Sequence, residues 1–248
     1  MKTGVGALKI LISVTEVQEV AEAVKGGANI VDVKNPKEGS LGASFPWIIR
    51  EIKKQTQDSN EISAAIGDMP NLPGTASLAA LGAASSGADY VKIGLRGVSH
   101  KKEAIYLMTQ VVRAVKEYDD SIQVVGAGYS DVARTGSVPP LLIPEIVEKS
   151  GGDIAMLDTG VKDGKKLFEF LDFRELKNFV DDAHELGLSA ALAGSLTEAD
   201  VGKLAELGAD VAGFRGAACS NNDRREGRVR RERVERIMKA AEKHEARP

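Results

Sequence analysis

Short, nearly continuous runs of Val, Ile, Leu and Ala alternate along this chain with longer stretches of helical periodicity. The runs lie at Leu8–Val14, Ile30–Lys34, Ile62–Gly67, Tyr90–Leu95, Ile122–Gly128, Ile154–Asp158, Ser189–Ala193 and Val211–Phe214. A strand covered on both faces needs apolar side chains at nearly every position, so these runs predict parallel strands. The spacing between and after them predicts helices near Val17–Lys25, Pro46–Gln55, Ala76–Ser86, Lys101–Tyr118, Pro140–Lys149, Phe173–Leu186, Glu198–Leu207 and Arg230–Glu245. Ser44 ahead of Phe45-Pro46 and the acids of Thr197-Glu198-Ala199-Asp200 are start signals, while Gly26, Gly87, Gly151, Gly187 and Gly208 are stop signals. Trp47, at the start of the second helix, is expected to pack.

Strict strand–helix alternation over 248 residues predicts an α/β fold, a single (β/α)8 TIM barrel spanning 1–248 with an arginine-rich C-terminal helix at about 228–246. The competing open doubly wound sheet expects Gly-x-Gly-x-x-Gly after the first strand. Here that strand runs directly into Ser13-Val14-Thr15-Glu16.

The second, fourth, sixth and eighth runs share a phrase. Aligned at Asn29, Asp89, Asp153 and Asp210, they bring Asp32, Lys92, Met156 and Gly213 to one level. Lys34, Gly94, Asp158 and Arg215 fall two residues further on. Strand side chains alternate, so both levels face the same way, and barrel interiors are layered from alternate strands. Charged groups then collect at the C-terminal mouth. An interior lysine loses hydration, and a second cation beside it pushes the same way, towards the neutral amine that attacks a carbonyl. Asp32 and Asp158 are suited to moving protons or balancing charge. A buried Lys–Asp network that only closes the barrel is the plain alternative.

Lys162, four residues beyond Asp158, belongs to the loop after strand six and is within reach of a substrate phosphate or simply exposed. Gly194 and Ser195 follow strand seven, and Arg215 and Gly216 follow strand eight. These are the usual barrel positions for phosphate, with glycine N–H groups, a hydroxyl and an Arg fork as donors. The loop Asn35–Ala43 has the glycine content of a lid, and Asp68–Gly74 is expected at the same mouth.

Composition narrows the alternatives. A formal charge of −3 gives no general attraction to nucleic acid or anionic membrane. The interspersed acids of the tail Asp223–Arg233 and the stripe Val234, Ile237, Met238, Ala241 predict a docked helix rather than an RNA-binding arm. Leu8–Val14 is too short to span a bilayer. Cys219 is the sole cysteine, which fits a reducing cytoplasm and an inert buried thiol. The histidines, His100, His184 and His244, are scattered, so neither a metal centre nor a Ser-His-Asp triad is expected.

The strings Val31–Gly42, Tyr90–Leu95 and Met156–Thr159 resemble the (5-formylfuran-3-yl)methyl phosphate synthase family, and the resemblance runs from Leu8 to the last helix. It implies a barrel lyase of methanofuran biosynthesis that condenses two glyceraldehyde 3-phosphate molecules to a furan phosphate, without cofactor. By the same resemblance Lys34 is the Schiff-base lysine and Lys92 the general base, with Asp32, Asp158 and Lys162 in support. Another Schiff-base aldolase for a different sugar phosphate, and a non-catalytic phosphate-binding barrel, are the alternatives. A homo-oligomer is expected because symmetric self-association is common.

Overall fold

The computed structural model describes residues 7–56 and 60–245. Eight parallel strands close in chain order: β1 (Lys9–Val14), β2 (Ile30–Val33), β3 (Glu61–Pro70), β4 (Tyr90–Gly97), β5 (Gln123–Tyr129), β6 (Ile154–Asp158), β7 (Ser189–Leu192) and β8 (Val211–Phe214). Pairing of β8 with β1 completes the expected barrel. The helices are α1 (Val20–Lys25), α2 (Pro46–Thr56), α3 (Pro73–Ala84), α4 (Lys101–Lys116), α5 (Val132–Thr135), α6 (Ile143–Lys149), α7 (Phe173–Glu185), α8 (Val201–Leu207) and α9 (Arg231–Glu245). The one-turn α5 was not expected. Three predicted helices open instead with 3-10 turns, at Val17–Glu19, Pro140–Leu142 and Glu198–Asp200.

Among the boundaries that depart from expectation, two bear on the site. Strand β3 continues past Gly67 to Pro70 because β4 is long enough to keep pairing with it, with register shifts at Asp68 and Pro70. That shift sets Asp68 in the mouth. The last helix begins at Arg231 because Val229 pairs in a bridge with Cys219, holding the chain extended ahead of it. Its predicted end at 246 lies outside the described residues. Trp47 is 56% exposed and stacks on Phe45 with ring centroids 4.7 Å apart, so it packs on a neighbour at the surface rather than in the core.

Alternation along the strands separates two cores. Outward residues such as Ile10, Ile12, Val31, Val33, Val91 and Ile93 pack against the helix ring. Inward residues fill the barrel in layers: Ile30, Tyr90, Ile154 and Val211 from the even strands, then Leu11, Ser63, Val125 and Ala191 from the odd ones. Only about 20 Å3 of void remains among them, so the lower barrel is a packed floor. The next even layer is Asp32, Lys92, Met156 and Gly213.

The repeated Gly/Asx phrase serves a separate purpose at the N-terminal end. Asn29, Asp89, Asp153 and Asp210 each donate a backbone N–H to a neighbouring odd strand, to the carbonyls of Ile10, Ile62, Val124 and Ala190. Each also accepts the N–H of that same residue on its side-chain oxygen, at 2.7 Å in all four cases. One residue thus satisfies both backbone groups of its partner where a parallel ladder would leave them open.

Candidate active site

A cavity of about 630 Å3 opens at the C-terminal mouth, and its floor is the charged layer. Asp32 is fully buried on β2. It accepts from Lys92 Nζ at 2.8 Å, from Ser63 Oγ at 2.9 Å and from Ser13 Oγ at 2.8 Å. The register explains this cradle, because Ser13, Asp32 and Ser63 are direct partners across β1, β2 and β3. Burial alone would raise the Asp32 carboxyl. Lys92 and Lys34 reverse that, and the net shift is downward.

Asp158, at the end of β6, is also buried. It accepts from Lys162 Nζ and from the Thr159 N–H at 2.7 Å, and Lys162 Nζ further donates to Thr159 Oγ1 at 3.1 Å. Burial works to raise Asp158, but Lys162 and Lys34 hold it below the ordinary carboxylate value. Burial likewise depresses Lys162, against the pull of Asp158.

Lys34 stands between these two pairs. It is buried, lines the cavity, and makes no side-chain hydrogen bond or ion pair with any described residue. Burial lowers its ammonium group to about 7; Asp32 and Asp158 oppose the shift, and Lys92 and Lys162 add to it. Of these three lysines, Lys92 and Lys162 are therefore held by carboxylates, and Lys34 is left poised to lose its proton.

The rest of the mouth is asymmetric. The loop Asn35–Ala43 is folded against the barrel by the Asn35 N–H on the Gly42 carbonyl at 2.8 Å. Ser40 Oγ reaches the Thr159 carbonyl at 2.9 Å, and the Ser40 N–H reaches Asp68 at 2.9 Å. Tyr129 donates its hydroxyl to the other oxygen of Asp68. Burial, then the Asp68 carboxylate, lifts the phenol well above its ordinary value. Gly94 makes this crossing possible: a Cβ there would lie 2.4 Å from Tyr129 Oη and 2.7 Å from Asp68 Oδ1. These groups and Leu41 fill the side over β2–β5, and the open volume lies over β6, β7, β8 and β1.

On the open side the structure brings Gly194, Ser195 and Gly216 to the cavity wall. Their N–H groups donate to no protein acceptor among the described residues. Ser195 is held at φ 52°, a left-handed conformation that disfavours a residue with a Cβ, and such strain gathers at ligand sites. Arg215 also lines the cavity, but its guanidinium is engaged elsewhere. Its five N–H donors go to the carbonyls of Ser13, Arg224 and Gly227, to Glu19 at 2.6 Å and to Thr15 Oγ1. With no donor left for a phosphate, it acts as a buried tie between β1, α1 and the C-terminal segment.

The arginine-rich stretch, expected as a docked helix, also contributes to the site. The turn Ser220–Asn222, with Asn221 and Asn222 both left-handed, carries Arg224 and Arg225 to the cavity wall. Arg224, Tyr129, Ser13 and Ser63 were given no role from the sequence, whereas Ser40 and Asp68 fall in the two loops expected at the mouth. The inward alternation beside Asp32 was a usable signal for Ser13 and Ser63; no local pattern marks the others. Cys219 is buried, and burial pushes its thiol up to about 11, as an inert side chain requires. Among the described residues no cluster of three or more His, Cys, Asp or Glu is arranged to hold a metal ion, and no helix is long and apolar enough to cross a membrane.

Comparison with known proteins gives a consistent picture. Residues 10–238 match the family described as 4-HFC-P synthase. The (5-formylfuran-3-yl)methyl phosphate synthase of Methanocaldococcus jannaschii is 53% identical over 92% of this chain and 97% of its own. That of Methanothermobacter thermautotrophicus is 52% identical over 92% of this chain and 96% of its own. Among solved structures, 3-hexulose-6-phosphate synthase from Salmonella typhimurium superposes with a TM-score of 0.65 at 19% identity, covering 96% of this chain and all of that one. Thiamine phosphate pyrophosphorylase from Pyrococcus furiosus gives 0.61 at 16% identity, covering 96% of each chain. At those identities the likeness is one of fold.

Proposed function

The chain belongs to the 4-HFC-P synthase family, and from that membership and the lysine geometry we propose that it condenses two glyceraldehyde 3-phosphate molecules through a Schiff base on Lys34. The observation that carries this reading is the unpartnered Lys34 amine, lowered to about 7 between two carboxylate-bound lysines. Near neutrality roughly half of such an amine is uncharged, against about 1 in 3,000 for an ordinary lysine. Forming a carbon–carbon bond requires a carbanion equivalent, and a lysine iminium accepts those electrons without a cofactor.

In the proposed sequence Lys34 adds to one triose phosphate and loses water to give the iminium. Lys92 removes a carbon-bound proton, and the enamine attacks the second aldehyde. Elimination of inorganic phosphate, ring closure with dehydration, and hydrolysis of the bond to Lys34 give the furan phosphate and restore the free amine. The Asp158–Lys162 pair is proposed to supply protons to the departing oxygens. The N–H groups of Gly194, Ser195 and Gly216 are proposed to bind a substrate phosphate, with the strained Ser195 backbone as support.

Incubation with glyceraldehyde 3-phosphate, with and without borohydride, tests the reading by furan absorbance and protein mass. Furan accumulating with no adduct at Lys34 would end the Schiff-base proposal, and full turnover by Lys92→Ala would remove that residue as base. A soluble triose phosphate substrate supports a cytoplasmic location for the proposed reaction. A homo-oligomer is also proposed: α3 is apolar all round yet leaves Leu78 73% exposed. Sedimentation of the protein as a monomer at micromolar concentration would exclude that.

A further inference from the structure

The cavity holds more cationic side chains than a substrate can use, because most are already neutralised. Lys92 is held by Asp32, Lys162 by Asp158, and Lys166 by Asp200 at 2.8 Å. Arg215 has spent every donor, Lys34 is the proposed nucleophile, and Arg225 is exposed. Arg224 alone among these has a fully buried guanidinium nitrogen, Nη2, with no hydrogen-bond partner; it is the only such side-chain atom among the described residues. A buried donor without an acceptor is costly, and a charged one more so, so native proteins rarely keep one without a reason.

The surroundings of Arg224 hold it in place. Its carbonyl accepts from Arg215 Nε at 3.2 Å. Asp223 fixes the turn by accepting the N–H groups of Arg225 and Glu226 at 2.8 and 3.1 Å. The Arg224 Cβ lies 4.0 Å from where a Cβ on Gly216 would stand, so the side chain starts beside the open N–H group of Gly216. The groups that act on its charge include Asp158, Arg215, Arg225 and Asp68. The side chain thus starts at the β8 loop and carries its charge within range of the carboxylates on the far side of the mouth. Neither carboxylate hydrogen-bonds to it.

We infer that Arg224 is the guanidinium that recognises the phosphate dianion of the triose substrate, the part that sequence position had assigned to Arg215. The geometry gives the two arginines different roles. Arg215 is a positioning residue that braces the turn, and Arg224 faces the ligand. Nη2 itself is closed off from the cavity that the rest of Arg224 lines, so a turn of the guanidinium towards a dianion beside Gly216 gives it an acceptor, and a planar fork suits phosphate better than an ammonium group. The inference rests on the reading that the substrate carries phosphate, but not on the Schiff base.

Inorganic phosphate is the probe. Its dissociation constant is measured by calorimetry for wild type, Arg224→Gln and Arg224→Lys, with circular dichroism as the check of folding. The expected result is binding to wild type at the millimolar level or better and at least tenfold weaker binding to R224Q. R224K should fall between, about threefold to tenfold weaker than wild type. Borohydride trapping of D-glyceraldehyde on Lys34 of the wild type, which involves no phosphate, reads the Schiff base separately. Wild-type affinity in R224Q overturns the inference even if furan forms. So does failure of wild type to bind phosphate. If wild type and R224Q differ as expected but no Lys34 adduct forms, the phosphate assignment stands and the Schiff-base reading falls. Should R224Q not fold, R224K with undiminished phosphate affinity overturns it alone.

Discussion

The rate at which Lys34 captures an aldehyde should follow its own titration. With the ammonium group lowered to about 7, the uncharged fraction rises from ~0.1 at pH 6 to ~0.9 at pH 8, about tenfold, and then levels off. An ordinary lysine would gain about 100-fold over the same interval and keep rising beyond pH 9. The assay is single-turnover trapping with cyanoborohydride, reading the mass of the Lys34 peptide against time at each pH. D-Glyceraldehyde should be run beside glyceraldehyde 3-phosphate, because the phosphate itself ionises near pH 6. The neighbours fix the sign of two further shifts. Asp158 raises the Lys34 value, so Asp158→Asn should move the midpoint to lower pH. Lys162 lowers it, so Lys162→Met should move the midpoint up. A trapping rate that climbs tenfold per pH unit to pH 9 would refute the reasoning. So would a midpoint that moves up in D158N.

The same perturbation has a cost in stability. The folded value of Lys34 lies below its unfolded one, so the penalty is full below about pH 7 and is relieved as pH rises towards 10.5. Lys34→Met should therefore gain up to about 5 kcal/mol at pH 7, less at pH 9.5, measured by urea unfolding at both; equal gains at the two values would count against it. Glu19→Gln removes the carboxylate from the buried Arg215 pair and should cost about 3–5 kcal/mol. A stable E19Q protein, together with an Arg215→Gln variant impaired only in phosphate binding, would restore Arg215 as a ligand. Asp89→Ala leaves the Ile62 N–H without its side-chain acceptor and loses the Lys53 contact, a loss of about 1–3 kcal/mol that differential scanning calorimetry would register as a lower Tm.

The barrel was legible in the sequence because burial on both faces forces an unbroken apolar composition, and eight such runs leave few topologies. The charged layer was legible for the related reason that strand alternation has a fixed period, so Asp32, Lys92 and Lys34 could be assigned to one side without any coordinates. Arg215 reaches the cavity as expected, but its partners were not legible, because position along a strand fixes direction and not partners. Its donors meet Glu19 and Gly227, residues 196 and 12 positions away, which no local pattern reveals. Arg224 was hidden within a run of arginines whose composition reads as a solvated helix face. The left-handed turn at Asn221 and Asn222, ahead of the helix, carries it to the mouth instead. Asp68 was assigned to a loop, because Gly67 reads as a strand end when the register shift that lets β3 continue is unknown.

The paired bonds made by Asn29, Asp89, Asp153 and Asp210 join residues only 19, 27, 29 and 20 positions apart. The four spans do not overlap, so the ring is assembled from quarters that are each clasped within themselves. The chain can then be opened between clasps without undoing any. A circular permutant starting near Ser121, between α4 and β5, keeps all four, whereas one starting within α1 or α3 tethers a clasp only through the rejoined ends. The first should refold nearly as fast as the parent and the second markedly more slowly.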